Sequence, residues 1–351
     1  MAEELTEELT EELKYVVDVL EKLVNTPSPS GYTAEVLGFV ESEARRMGFE
    51  TARNRKGGVI VSVQGKTEEV LGLSAHVDTL GAMVRSINSD GSLRMEPIGG
   101  YMMETVEGSY CKIHTRCGRV YTGTILTVQP SVHTYDDARK LERKASNMAV
   151  RIDEEVKSKE ETEALGIAPG DFISLDPCFV HTQSGFIKSR HLDDKASVAV
   201  LMGLLKAVAD SGNRQEQCLR ILISNYEEIG HGASYIPQEI TEFLAVDMGA
   251  LGEDLSGDEY RVSICAMDSS GPYDYEMTGR LIEIAKEKEI GYAVDIFPHY
   301  GSDVSAALSA GNNIRGALIG QGVHASHSME RTHEKGLLQT LRLLKGYIGI
   351  E

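Results

Sequence analysis

Leu5, Leu9, Leu13, Val16 and Leu20 recur at helical spacing, with glutamates crowding the positions between, so the chain opens on an expected amphipathic helix whose acidic face is solvated. Pro27-Ser28-Pro29-Ser30-Gly31 interrupts it. Val36, Phe39, Val40 and Met47 then mark a second helix ending at Gly48, a residue suited to a left-handed cap. The runs VIVSVQG from Val59 and EVLGLSAHVD from Glu69 are apolar and β-branched and predict buried strands, the second ending in His76 and Asp78. The same alternation resumes after Asp193. A stripe of Val198, Leu201, Leu205 and Val208 predicts a helix, LRILISNY from Leu219 and EFLAVD from Glu242 predict strands, and further helices follow Tyr275 and Ser302. Leu337, Leu341, Leu344 and Ile348 share one face of a last helix.

Between residues 83 and 183 the texture changes to short alternating segments separated by turn signals such as Ser89-Asp90-Gly91, Arg116-Cys117-Gly118 and Pro169-Gly170-Asp171. This predicts a small all-β unit, in which the charged stretch from Asp136 to Glu163 leaves a short helix and a long loop both open. Residues 1–82 and 184–351 then form one discontinuous α/β domain, with 83–183 inserted in it. A hundred structureless residues inside a compact domain would be anomalous. The length of 351 residues and the 41% hydrophobic content also suit two domains.

Charge narrows the partners. Against 35 basic residues stand 54 acidic ones, a formal net charge of −19, which repels phosphate backbones and anionic lipid surfaces. Neither nucleic acid nor a membrane is expected as a partner. An acidic start, MAEELTEELTEEL, and the lack of an apolar run of about 18 residues predict a soluble, unexported protein. Five scattered cysteines without a CxxC pair argue against a disulfide framework and a thiolate zinc site, and fit a reducing cytoplasm.

Metal-binding side chains gather at the expected strand ends: His76 and Asp78 after one strand, Glu227 and Glu228 after another, Asp247 after a third. In an open α/β sheet, side chains leaving neighbouring strands converge at those carboxyl ends. Asp193-Asp194 at a helix start and His327 in a late segment complete the set. Two divalent cations about 3.5–4 Å apart need a bridging carboxylate flanked by nitrogen and oxygen donors. His76, Asp193, Glu228, Asp247 and His327 supply these without a thiolate, a mixture suited to Zn, Co or Mn. Asp78, two residues from His76 on an extended chain, is expected to fix the imidazole tautomer through its carboxylate. Glu227 is expected to act as the base, provided the strand ends before it, as Gly230 and Gly232 suggest. Each feature alone has an ordinary reading as a cap or a solvated face. Their convergence at the ends of one buried sheet points to catalysis.

PSPSG, SAHVDTLG, PGDF, HLDDK, NYEEIGHGAS, AVDMG, GSD at Gly301–Asp303 and HASHSMERTH occur in that order over residues 20–335. The ordered set resembles the M42 metallo-aminopeptidases, which include the tetrahedral TET peptidases and the glutamyl aminopeptidases. The resemblance implies a mixed-sheet α/β/α metallopeptidase domain with an inserted small β-barrel-like dimerisation domain. It implies that His76, Asp193 and Asp247 hold one metal, that Asp193 bridges, that Glu228 and His327 hold the other, and that Glu227 is the catalytic base. It further implies hydrolysis of the N-terminal residue from short peptides by a metal-bridging water, in homo-oligomers built of dimers up to a hollow dodecamer. Lys195, in place of a commoner arginine, and HASHSMERTH depart from the family pattern. Among His324, His327 and His333, the His-Ser pair with Glu330 three residues on favours His327. The same scaffold could serve a metal-dependent amidase or deacylase, an enzyme labelled endoglucanase, or a non-catalytic binding protein. Against the last stands Glu227, a free base that a scaffold does not need.

Overall fold

A computed structural model describes residues 7–212 and 214–350, with the side chains of the first helix described from residue 11 onward. Leu5 and the side chain of Leu9 lie outside the described residues. Leu13, Val16 and Leu20 are buried on α1 (Glu7–Val24), which α2 (Ala34–Arg46) follows. The chain then forms β1 (Glu50–Arg53), β2 (Val59–Val63) and β3 (Val70–His76), the last buried along its whole length. β2 alternates buried and half-buried positions. It pairs antiparallel with β1 and with a later strand and so lies toward the rim of the sheet.

At Gly81 the chain leaves this sheet for β4 (Gly81–Ile87), β5 (Leu93–Ile98), β6 (Tyr110–His114), β7 (Val120–Thr127), β8 (Met148–Ile152) and β9 (Phe172–Leu175). These close into a barrel in the order β4-β5-β8-β7-β6-β9. Its core is its own, built from Val84, Leu93, Met95, Ile113, Ile125 and Val150 among others. The charged stretch contains more than was foreseen: β8 lies within it, and α3 (Lys159–Ala164) ends it, capped by the Ser158 side chain. The alternation of β8 covers only MAVRI between polar flanks, too short to stand out.

β10 (Val180–His181) and β11 (Phe186–Ser189) return the chain to α4 (Leu192–Ser211), which is buried on nearly every side. There follow β12 (Cys218–Ser224), β13 (Glu242–Val246), β14 (Gly249–Ala250), β15 (Val262–Asp268), β16 (Gly271–Pro272), α5 (Tyr275–Glu287), β17 (Tyr292–Ile296), α6 (Asp303–Ser309), β18 (Arg315–Val323), β19 (Glu330–His333) and α7 (Glu334–Ile348). The main sheet runs β1-β2-β12-β3-β13-β18-β15-β16, with β14 on β18 and β17 on β15. Its centre, β12-β3-β13-β18, is parallel, and antiparallel pairs flank it.

Period-two alternation divides the central strands between two cores. Leu71, Leu73 and Ala75 join Ile221, Leu244 and Ile319 under α1, α2, α4, α5 and α7. Val70, Leu222, Phe243 and Leu318 face the other way, against α6 and against Ile236 and Ile240 of the loop between β12 and β13. The result is an α/β/α layering on a mixed sheet, with the barrel beside it. No described helix is long and apolar enough to cross a membrane.

Candidate metal centre

Three neighbouring strands, β12, β3 and β13, end side by side, so the residues just past them meet at one place. His76 is the last residue of β3, Asp247 directly follows β13, and Glu227-Glu228 lie in the turn after β12. Gly230 has φ +83°, and a Cβ on Gly232 would stand 2.3 Å from Asp303 Oδ1, so the turn requires glycine at both positions. Tyr226, with φ 74°, and His327, with φ 63°, adopt the left-handed backbone without being glycine, the kind of strain that gathers at functional sites.

Asp193 stands between two imidazoles. Its Oδ1 is 3.3 Å from His76 Nε2 and its Oδ2 is 3.4 Å from His327 Nε2. His76 Nε2 also lies 4.0 Å from Asp247 Oδ2 and 3.5 Å from Glu227 Oε2, while His327 Nε2 lies 3.4 Å from Glu228 Oε2. Both imidazoles have their other nitrogen occupied. Nδ1–H of His76 donates to the Asp78 carbonyl at 2.9 Å, and Nδ1–H of His327 donates to the Gly100 carbonyl at 2.5 Å. Each Nε2 lone pair is thereby directed at the carboxylates. Gly100 follows β5, so a barrel loop orients one of these rings.

Asp78 does its work differently from expectation. Its carboxylate is 3.7 Å from His76 Nδ1, and the tautomer is set instead by its main-chain carbonyl. The carboxylate accepts from Ser30 Oγ at 2.5 Å and from the main-chain N–H groups of Glu227 and Glu228 at 3.1 and 3.3 Å. It pins the turn that carries both glutamates. Strand alternation correctly placed Asp78 beside His76, but a β-strand pattern cannot reveal which of its oxygens the ring meets.

Glu330, which in the sequence is only a neighbour of His327, ties two parts of the site together. Its Oε2 accepts from Asp193 N–H and its Oε1 from His327 N–H, both at 3.1 Å. Asp194 likewise goes beyond its expected place as a companion to Asp193. It accepts from His76 N–H at 3.2 Å, reaches the same space as His76 and Asp247, and has a buried Oδ1 without a partner. Tyr300, whose hydroxyl donates to the Met248 carbonyl at 2.9 Å, carries no sequence signal at all. Of the other late histidines, His333 caps α7 and donates to Ser184, and His324 is exposed. Neither is brought to the cluster.

Electrostatics accord with cation binding. Burial pushes the carboxyls of Glu227 and Glu228 well above the usual range, Asp247 repels the first and Asp193 the second. Burial and Asp193 raise Asp247 to about 7. Burial opposes charge on His76 and His327 too, but the surrounding carboxylates outweigh it, raising His76 well above its ordinary value and His327 to about 10. Burial would raise Asp193 as well, yet the two imidazoles hold its carboxyl far below the usual range. A cluster that draws positive charge onto both Nε2 atoms so strongly is one that divalent cations can neutralise. His76 with Asp193 and Glu228, and His76 with Asp194 and Asp247, offer ligand atoms close enough for metal binding. Imidazole and carboxylate donors with an orphaned buried oxygen fit such ions. The cluster heads a cavity of about 730 Å³ that Glu227 also lines.

Imidazoles and carboxylates converging at the strand ends of an α/β/α sheet fit a divalent-metal-dependent hydrolase. The chain belongs to the M42 glutamyl aminopeptidase family, whose model matches residues 57–343. It is a peptide hydrolase of the aminopeptidase class. YhfE of Bacillus subtilis is 49% identical over 338 residues, covering 96% of this chain and 98% of its own. The lysyl aminopeptidase of Pyrococcus furiosus is 25% identical over 342 residues, covering 94% and 96%. In fold the chain matches the TET1 peptidase of Pyrococcus horikoshii, which can assemble into a tetrahedron or a large octahedral shell (TM-score 0.84, 23% identity, 95% and 99% covered).

Proposed function

We propose that the protein removes the N-terminal residue from short peptides at a centre of two divalent cations, Zn or Co, or else Mn, with Glu227 as the base. The observation that carries this reading is the two-sided position of Asp193, one oxygen toward His76 and the other toward His327. His76, Asp193 and Asp247 would hold one ion, and Asp193, Glu228 and His327 the other. Bound there, the cations supply Lewis acidity for the attacking water and the scissile carbonyl.

The chain's own residues do the remainder. Glu227 lines the cavity with its carboxyl beside the cluster, where burial raises its proton affinity. It can therefore take a proton from water at a carboxylate oxygen and keep it until the leaving amine needs it. Asp78 holds the Glu227 main chain, so the base is positioned from behind. Glu227→Gln should lower kcat by about 10²–10⁴-fold while leaving metal content, read by atomic emission, unchanged. A fully active variant would remove Glu227 from the role.

Homo-oligomerisation belongs to the same proposal, with residues 83–183 as the dimerising insert. The barrel exposes Met102, Tyr110 and Val120, large apolar side chains on an outer surface, as a contact between copies requires. TET1 supplies the precedent for shells built from a chain of this fold.

A further inference from the structure

Beside the carboxylates, the cavity has an apolar lining. Met248, which follows Asp247, Leu255, Phe297 and Ala306 contribute to it, and Met248 and Phe297 are buried. Among the described residues that line it there is no lysine or arginine, its one basic side chain beyond His327 is the exposed His299, and its carboxylates, Asp193, Glu227, Glu228 and Asp247, all belong to the cluster at its head. Four of its five hydroxyls are engaged within the protein, Ser326 through Asp193 at 3.0 Å, which leaves Ser309. Ser302 and Ser305 cap α6 for each other, and Tyr300 donates to the Met248 carbonyl.

We infer that this wall receives the side chain of the substrate's first residue and selects a neutral, apolar one of leucine or methionine size over glutamate and lysine. The inference rests on the aminopeptidase reading above and adds the specificity. A glutamate side chain entering here would lose its hydration against Met248 and Phe297, with no guanidinium or ammonium to meet it. A lysine ammonium would find only carboxylates already engaged by imidazoles, and its stem would have to leave its charge against Met248 and Phe297. An aliphatic side chain covers the same surface without stranding a charge.

Initial rates on aminoacyl p-nitroanilides of Leu, Met, Glu and Lys, with the enzyme reconstituted in Zn or Co, test this directly. The expected kcat/KM for Leu and Met exceeds that for Glu and Lys by at least about tenfold. Ala306→Lys and Leu255→Lys, each checked by circular dichroism, place a cation on the wall from a helix and from a loop. Either one, folded, should raise the Glu-to-Leu ratio of kcat/KM by about tenfold. A wild-type preference for Glu or Lys, or an unchanged ratio in a folded variant, overturns the specificity and leaves the aminopeptidase standing. Release from none of the four substrates overturns both.

Discussion

Glu330 shows how much of this site is held by groups that never face the substrate. Each of its oxygens accepts one main-chain N–H, from Asp193 and from His327, so one side chain fixes the two residues proposed to share a cation. An amide offers only one such acceptor. Glu330→Gln should weaken Zn binding by about 10–100-fold in calorimetric titration, and unchanged affinity would deny it that positioning role. His76, Asp193, Glu227, Glu228, Asp247 and His327 could all be picked out of the sequence, because residues of those types stand at the ends of apolar runs, at a helix start or in the late His-rich segment. Glu330 and Tyr300 could not be given roles. Glu330 joins the nearby His327 to the distant Asp193, and Tyr300 bonds the distant Met248, through main-chain atoms that no spacing in the sequence encodes.

At the level of elements, apolar patterning is a good guide where a buried face carries an unbroken apolar run. α4 carries Leu201 at full burial in the larger core, and Leu201→Ala should cost about 2–5 kcal/mol, read as the shift of a denaturant midpoint. β18 escaped notice although it lies at the centre of the sheet, since its sequence RGALIGQGV is broken by glycines. Packing demands them: a Cβ on Gly320 would stand 1.9 Å from the Asp247 carbonyl oxygen. In the barrel, β6 ends at His114, whose Nε2 shares a hydrogen with Ser174 Oγ at 2.8 Å. Burial, with a smaller push from Lys112, lowers His114 to about 4. In the unfolded chain the same group titrates near 6.5. Between those values the unfolded state binds more protons, so stability is full above about 6.5 and falls as pH drops toward 4. The metal-free protein should lose melting temperature between pH 7 and pH 5, and His114→Gln should lose less. Equal losses in the two proteins would contradict this.

For the whole molecule, the change of texture between residues 83 and 183 falls on a closed barrel whose strands run from Gly81 to Leu175 and whose Gly100 loop reaches back to His327. Sedimentation velocity should show a homo-oligomer, and a monomer at micromolar concentration would contradict the proposed dimerising role of the insert. The measurement that bears most directly on the central claim is release of free amino acids from short peptides and from their N-acetylated copies, with chelator and then with Zn or Co restored. The account predicts release from free amines only, abolished by chelation and regained with metal. Release from the blocked copies, or activity that survives chelation, would contradict it.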